Sequence, residues 1–321
     1  MAKRFGLWAL SALVIFGFTL NPFAAEKVKL GSAIKTTANY YLPIMAAEEK
    51  GFWKRAGVEV EWFPFRGTAT EIQGVAAGAV KVGLIPVVGN MQAAGRGIPV
   101  VIVAELVGKS NWYLWVRTDS RIRGPKTLKG AKIGVPQLGG TGHGYGRLML
   151  KALGVEKDVR FVGTGGIRQE LAALKAGAVD GIIEPLTITI KLRALGQVRA
   201  PINISRFLPK EWLDHNVFAT QDFINKHPDR VAAVVKGVVK GANFARAERG
   251  WTLAKMKEMQ RFSDAAANLL FDQHVAVNFT KDGKINRRAV ENIRTFLIKY
   301  GIIQRERTPP VDKLFTNRFT G

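Results

Sequence analysis

The chain has 321 residues, 47% of them hydrophobic and 23% charged, with a formal charge of +23 and no cysteine. That content supports a sizeable core, between one large domain and two small ones, and excludes disordered and fibrous classes. Without cysteine there are no disulfides, thiolate nucleophiles, iron–sulfur sites, Cys-based zinc sites or lipidated cysteine anchor.

Lys3 and Arg4 precede an apolar run over 5–20, which Asn21-Pro22 ends before Ala24-Ala25 and the charged pair Glu26-Lys27. This is the order of an export signal, and the run is shorter than the roughly 20 residues a spanning helix needs. A removable signal over 1–25 is expected, with the product soluble in the periplasm. Phe23 is bulky where a cut after Ala25 prefers a small residue. Removing the segment takes away only two cations, so the positive charge belongs to the mature chain. Its basic residues are dispersed: the densest stretch, 281–307, is interrupted by Asp282, Glu291 and Glu306 and lacks interleaved aromatics. Nucleic acid is therefore not an expected partner.

From Val28 onward, short β-branched runs alternate with helical segments punctuated by glycine, an α/β pattern. Residues 58–63 read as a strand, 70–77 as a helix stopped by Gly78, and 80–85 as the next strand. Further strands are expected at 100–104, 132–135, 159–162 and 182–183. Residues 60–86 match 159–185 without a gap, at an offset of 99: Val60, Gly67, Glu71, Ala77, Gly78, Ala79, Val80 and Pro86 recur as Val159, Gly166, Glu170, Ala176, Gly177, Ala178, Val179 and Pro185. Ala-Gly-Ala-Val is common helix-stop chemistry, but the register over the whole unit predicts two similarly built lobes. The first is placed at 26–111, an aromatic crossover strand at 112–118 and the second lobe at 119–203. Residues 204–321 return to the first lobe, with helices at 228–247, 253–261, 265–276 and 287–300 packing onto it.

Enzyme signatures are missing. His143, His215, His227 and His274 form no i, i+4 pair, so they read as surface or structural residues and no metal is expected. No Gly-x-Ser-x-Gly elbow or phosphate loop occurs, and the run Gly139 to Gly146 never gives G-x-G-x-x-G. No catalytic residue and no cofactor are expected. The glycine run still follows a strand and opens a helix from about Gly146, where free N–H groups can hold an anion or a carbonyl oxygen. The matching turn of the first lobe holds Thr36, Thr37, Asn39, Tyr40 and Tyr41. Gly67 and Thr68, Gly166 and Arg168, and Pro86 and Glu184 occupy equivalent strand ends. In doubly wound sheets ligands bind outside the carboxyl ends of strands, so these turns, with Gly140, Thr141 and His143, are the candidate ligand site.

Residues 46–60, AAEEKGFWKRAGVEV, resemble the "A-x-E-x-G-F-[FW]-x-x-x-G-[LV]-x-V" segment of substrate-binding proteins of ABC importers in the nitrate, sulfonate, taurine and thiamine-precursor pyrimidine group. Residues 126–135 (KTLKGAKIGV) and 173–185 resemble later motifs of that group, in its order. The resemblance implies an α/β, two-lobed type II periplasmic binding protein fold, each lobe a mixed sheet flanked by helices. It also implies a monomer that closes on one small-molecule ligand and docks onto a membrane permease. Two departures leave the ligand open: Lys81 stands where the group usually has Asp, and Glu184-Pro185 lacks the tryptophan often found before the proline. A small sulfonate or carboxylate, partnered by Arg168 and the 140–144 turn, is the first expectation. A neutral or cationic heterocycle between Tyr40 or Tyr41 and Glu184 is the second, and a pyrimidine-forming enzyme on the same scaffold or a polyanion-binding envelope protein are further readings. The enzyme relative uses a cysteine-rich segment and a cofactor-bearing lysine.

Overall fold

The computed structural model describes residues 27–33 and 38–320. The expected export signal, with Thr36 and Thr37, lies outside them.

Among the described residues, ten strands form two five-stranded sheets. The strands of the first lobe are β1 (Val28–Ser32), β2 (Val60–Pro64), β3 (Val82–Pro86) and β4 (Val100–Val107). Those of the second are β5 (Trp112–Arg117), β6 (Lys132–Val135), β7 (Arg160–Gly163), β8 (Gly181–Pro185) and β9 (Val198–Asn203), and β10 (His215–Thr220) returns to the first. The orders are β2-β1-β3-β10-β4 and β7-β6-β8-β5-β9. In each sheet a parallel core meets one antiparallel strand, β10 against β3 and β4, or β5 against β8 and β9. The central strands β3 and β8 are buried along their whole length, as expected of strands covered by helices on both faces.

The repeat is structural. Helices Thr68–Ala76 and Ile167–Lys175 begin 99 residues apart, as do Val87–Gly95 and Leu186–Ala194 and the strands β3 and β8. The crossover lies elsewhere than expected. Trp112–Arg117 is β5, paired on both sides inside the second sheet, and the chain passes between lobes at 108–111 and again at 204–214. Apolar residues on both faces of this strand (Trp112, Leu114, Trp115 and Val116 are all buried) require a central position rather than an exposed link.

Helix Pro228–Ala247 packs on helix Leu42–Glu49, where Trp53 Nε1 donates to Val234 O at 3.2 Å. The C-terminal segment does not serve the first lobe alone. Helix Asp264–Leu270 lies against helix Leu186–Ala194 of the second lobe, burying Ala266, Ala267 and Leu270 in a core cluster that also holds Leu186 and Ile190. The helix expected over 265–276 breaks at Leu270 into a π-helical turn, Phe271–Val275.

Candidate functional site

The carboxyl ends of β1, β3, β6 and β8 converge on a cavity of about 60 Å³ between the lobes, room for on the order of five waters or a solute of similar size. The lobes stand closed around it. Thr141 Oγ1 lies 3.1 Å from Thr68 Oγ1 across the cleft, Thr70 N donates to Gln137 Oε1 at 3.3 Å, and Arg96 donates to Gly139 O at 3.2 Å.

Tyr40, Tyr41, Gly67, Thr68, Pro86, Gly140, Thr141 and Glu184 all line the cavity. Tyr40 and Tyr41 are both buried, in the turn Ala38–Tyr41 that also contains Asn39. The Tyr40 ring stacks on His215 at 3.6 Å and 13°, and its hydroxyl donates to Asn111 Oδ1 at 2.9 Å. Glu184 is held by its own backbone, since Trp115 Nε1 donates to Glu184 O at 2.8 Å. Its carboxyl is buried, and buried Glu170 lies behind it, close enough for the two to interact electrostatically. Desolvation pushes both above the usual carboxylate range, Glu184 to about 8, and the charge of Glu184 raises Glu170 further.

Among the described candidates, His143, Gly166 and Arg168 are not part of the lining. Arg168 is exposed, because the helix that opens at Ile167 turns Ile167 to the cleft and the next residue to solvent. Gly166 is buried at that helix start. The His143 ring accepts the Gly139 N–H at 2.9 Å and packs edge-on to Phe161 at 4.8 Å, closing its own turn, and burial lowers its pKa. The 139–146 glycine run also differs from expectation, as the helix starts at Thr141. Its glycines permit close approach: a Cβ on Gly144 would lie 2.7 Å from Val88 of the other lobe, and one on Gly142 would lie 2.9 Å from Ile183 O. The helix start at Gly140 and Thr141 still faces the cavity.

Sequence reasoning missed Trp112, Gln137, Ile188 and His215 in the lining, and it missed Asp214 behind them. Asp214 is fully buried at the end of the second crossover. Its carboxylate accepts from Trp112 Nε1 at 3.1 Å, Tyr145 Oη at 3.2 Å and Tyr40 Oη at 3.5 Å, and lies 2.9 Å from His215 Nδ1. Its backbone is tied as well, N to Val107 O at 2.8 Å and O to Val87 N at 2.7 Å. One anion thus joins both lobes at the hinge and stands directly behind the Tyr40–His215 wall. Aspartate beside histidine after an apolar run carries no spacing pattern, whereas the aromatic density at 112–115 was a usable signal for a cleft wall.

Two mixed sheets, two crossovers and a closed interlobe cavity define the two-lobed binding fold of periplasmic solute-binding proteins. Residues 38–249 match the NMT1/THI5-like family, to which the chain belongs. A candidate binding protein of Brucella abortus is 24% identical over 248 residues, 75% of this chain and 76% of its own. A 4-amino-5-hydroxymethyl-2-methylpyrimidine phosphate synthase of Saccharomyces cerevisiae is 23% identical over 220 residues, 65% of this chain and 64% of its own. Among solved structures, the alkanesulfonate-binding protein SsuA of Xanthomonas axonopodis pv. citri, bound to MOPS, has a TM-score of 0.75 at 13% identity, covering 91% of this chain and 100% of its own. No helix among the described residues is long and apolar enough to cross a membrane.

Proposed function

We propose that the chain is the periplasmic solute-binding component of an ABC importer and that its solute is a small, flat, neutral or cationic nitrogen heterocycle of the thiamine-precursor pyrimidine type. One observation carries the choice of solute: among the described residues no Lys or Arg lines the cavity, whose acidic residue is Glu184. A sulfonate or carboxylate would meet threonine hydroxyls and helix starts there, but no cation, and would lie against a carboxyl group. A ring fits better, because Tyr40, Tyr41 and Trp112 offer faces for stacking. Glu184, whose pKa burial raises to about 8, offers an acceptor and a donor to the paired N–H and ring nitrogen of an aminopyrimidine edge. Export by the N-terminal segment and delivery to a permease complete the proposal.

Calorimetric titration with an aminopyrimidine, methanesulfonate, taurine and nitrate tests it. The pyrimidine is expected to bind, and Glu184→Gln to weaken it by roughly 10- to 100-fold, the cost of leaving one buried hydrogen-bonding group unsatisfied. Tight sulfonate binding with none to the pyrimidine would overturn the choice of solute.

A further inference from the structure

At the end of the first lobe remote from the cleft, β1 and β3 begin beside a groove of about 410 Å³. Lys27, Lys29, Lys81, Lys226 and Arg230 line it, with Asp222 as the only carboxylate among its lining residues. Asp222 is engaged by Lys226 at 2.8 Å, and Lys27 reaches Glu59 at 3.7 Å. Lys29 lies 5.7 Å from the centre of the Phe63 ring. Among the described residues, no carboxylate stands within ion-pair distance of Lys29, Lys81 or Arg230.

The repeat shows what this end of a lobe otherwise holds. Leu30 pairs with Val82 in the first sheet as Ile133 pairs with Gly181 in the second, so Lys29 corresponds to Lys132 and Lys81 to Asp180. In the second lobe the Asp180 carboxylate accepts the Lys132 N–H at 2.8 Å. In the first lobe a cation stands where that acid would be, and Lys27, Lys29, Lys226 and Arg230 line the same groove.

We infer that this groove binds a phosphate-type oxyanion, which supplies from solution the negative group that Asp180 supplies to the second lobe. An arginine fork and several lysine point charges around an open volume suit phosphate oxygens. The site is separate from the solute cavity, which lies at the other end of five-residue strands, about 17 Å away at the usual rise per residue.

Titration of the protein with pyrophosphate near 0.1 M salt, where exposed charges still interact at close range, is expected to show one site per chain. Lys81→Asp, which restores the second-lobe residue, should weaken binding by at least about tenfold, and Arg230→Ala by a similar factor. Both variants should unfold near the wild-type temperature. Lys191→Ala, removing an exposed cation of the second lobe, should leave affinity within about twofold if the groove and not the general positive field is responsible. Flotation with phosphatidylglycerol vesicles identifies the source: binding to vesicles alone, lost in Lys81→Asp, assigns a lipid headgroup, and binding of pyrophosphate alone assigns a free anion. Absence of both, or equal losses from Lys191→Ala and Lys81→Asp, overturns the inference.

Discussion

Asp214→Ala removes the acceptor of three donors, Trp112, Tyr145 and Tyr40, together with the partner of His215, all around a side chain with no solvent exposure. Hydrogen bonds to a charged group contribute about 1.5–3 kcal/mol each, but losses within one network do not add. Breaking a buried charged cluster by deleting one member costs about 3–5 kcal/mol. In a chain of this size each kcal/mol moves the melting point by roughly 2–4 °C, so a fall of about 10 °C is expected. Thermal unfolding followed by circular dichroism measures it. Asp214→Asn, which keeps one acceptor oxygen, should cost about half as much, and combining Asp214→Ala with Tyr145→Phe should cost less than the sum of the two. Since Asp214 stands behind Tyr40 and His215, solute affinity should fall in parallel. A melting point within about 2 °C of wild type for the alanine variant, against the scale just given, would refute the role assigned to the cluster.

Two further substitutions separate closure and acid stability from the hinge cluster. Gly144→Ala places a methyl 2.7 Å from Val88 across the cleft, so solute affinity should fall by about tenfold, while the better helix propensity raises unliganded stability by up to about 1 kcal/mol; equal affinity would show that the lobes close without that contact. His274 is buried beside Asn111, and desolvation lowers its pKa to about 4 from 6.5. A depressed pKa gives stability that is complete above pH 6.5 and lost as the pH falls towards 4, here by about 2–3 kcal/mol. Urea unfolding at pH 7 and 4.5 should show that loss, and His274→Gln should flatten it; an unchanged acid limb in the variant would assign the loss to other groups.

The alternation of strands and helices was legible because the strands are short, largely apolar runs and several helices stop at a glycine, as at Gly78 and Gly177. The site turns were legible for the same reason: the cavity sits at strand ends, and Gly67, Thr68, Pro86, Gly140, Thr141 and Glu184 mark those ends. Which neighbour faces the cleft was not, since a one-residue rotation at a helix start exchanges Ile167 for Arg168. The strand β5 was misread as a link because aromatic residues suit a crossover and a central strand equally, and only pairing with β8 and β9 distinguishes them. Asp214 is invisible to any periodicity, because its partners Tyr40, Trp112 and Tyr145 come from distant parts of the chain.

The two antiparallel strands share a history along the chain. β5 follows the four strands of the first lobe and completes the second sheet, while β10 follows the four later strands of the second lobe and completes the first. Each half of the protein lends its fifth strand to the other, in the manner of a strand-exchanged dimer fused into one polypeptide. Opening and closing then turn on two short links and on the packing of helix Asp264–Leu270 against helix Leu186–Ala194. Pulling the lobes apart would require withdrawing the fourth strand from both sheets, so the cleft can gape while the halves remain interlocked.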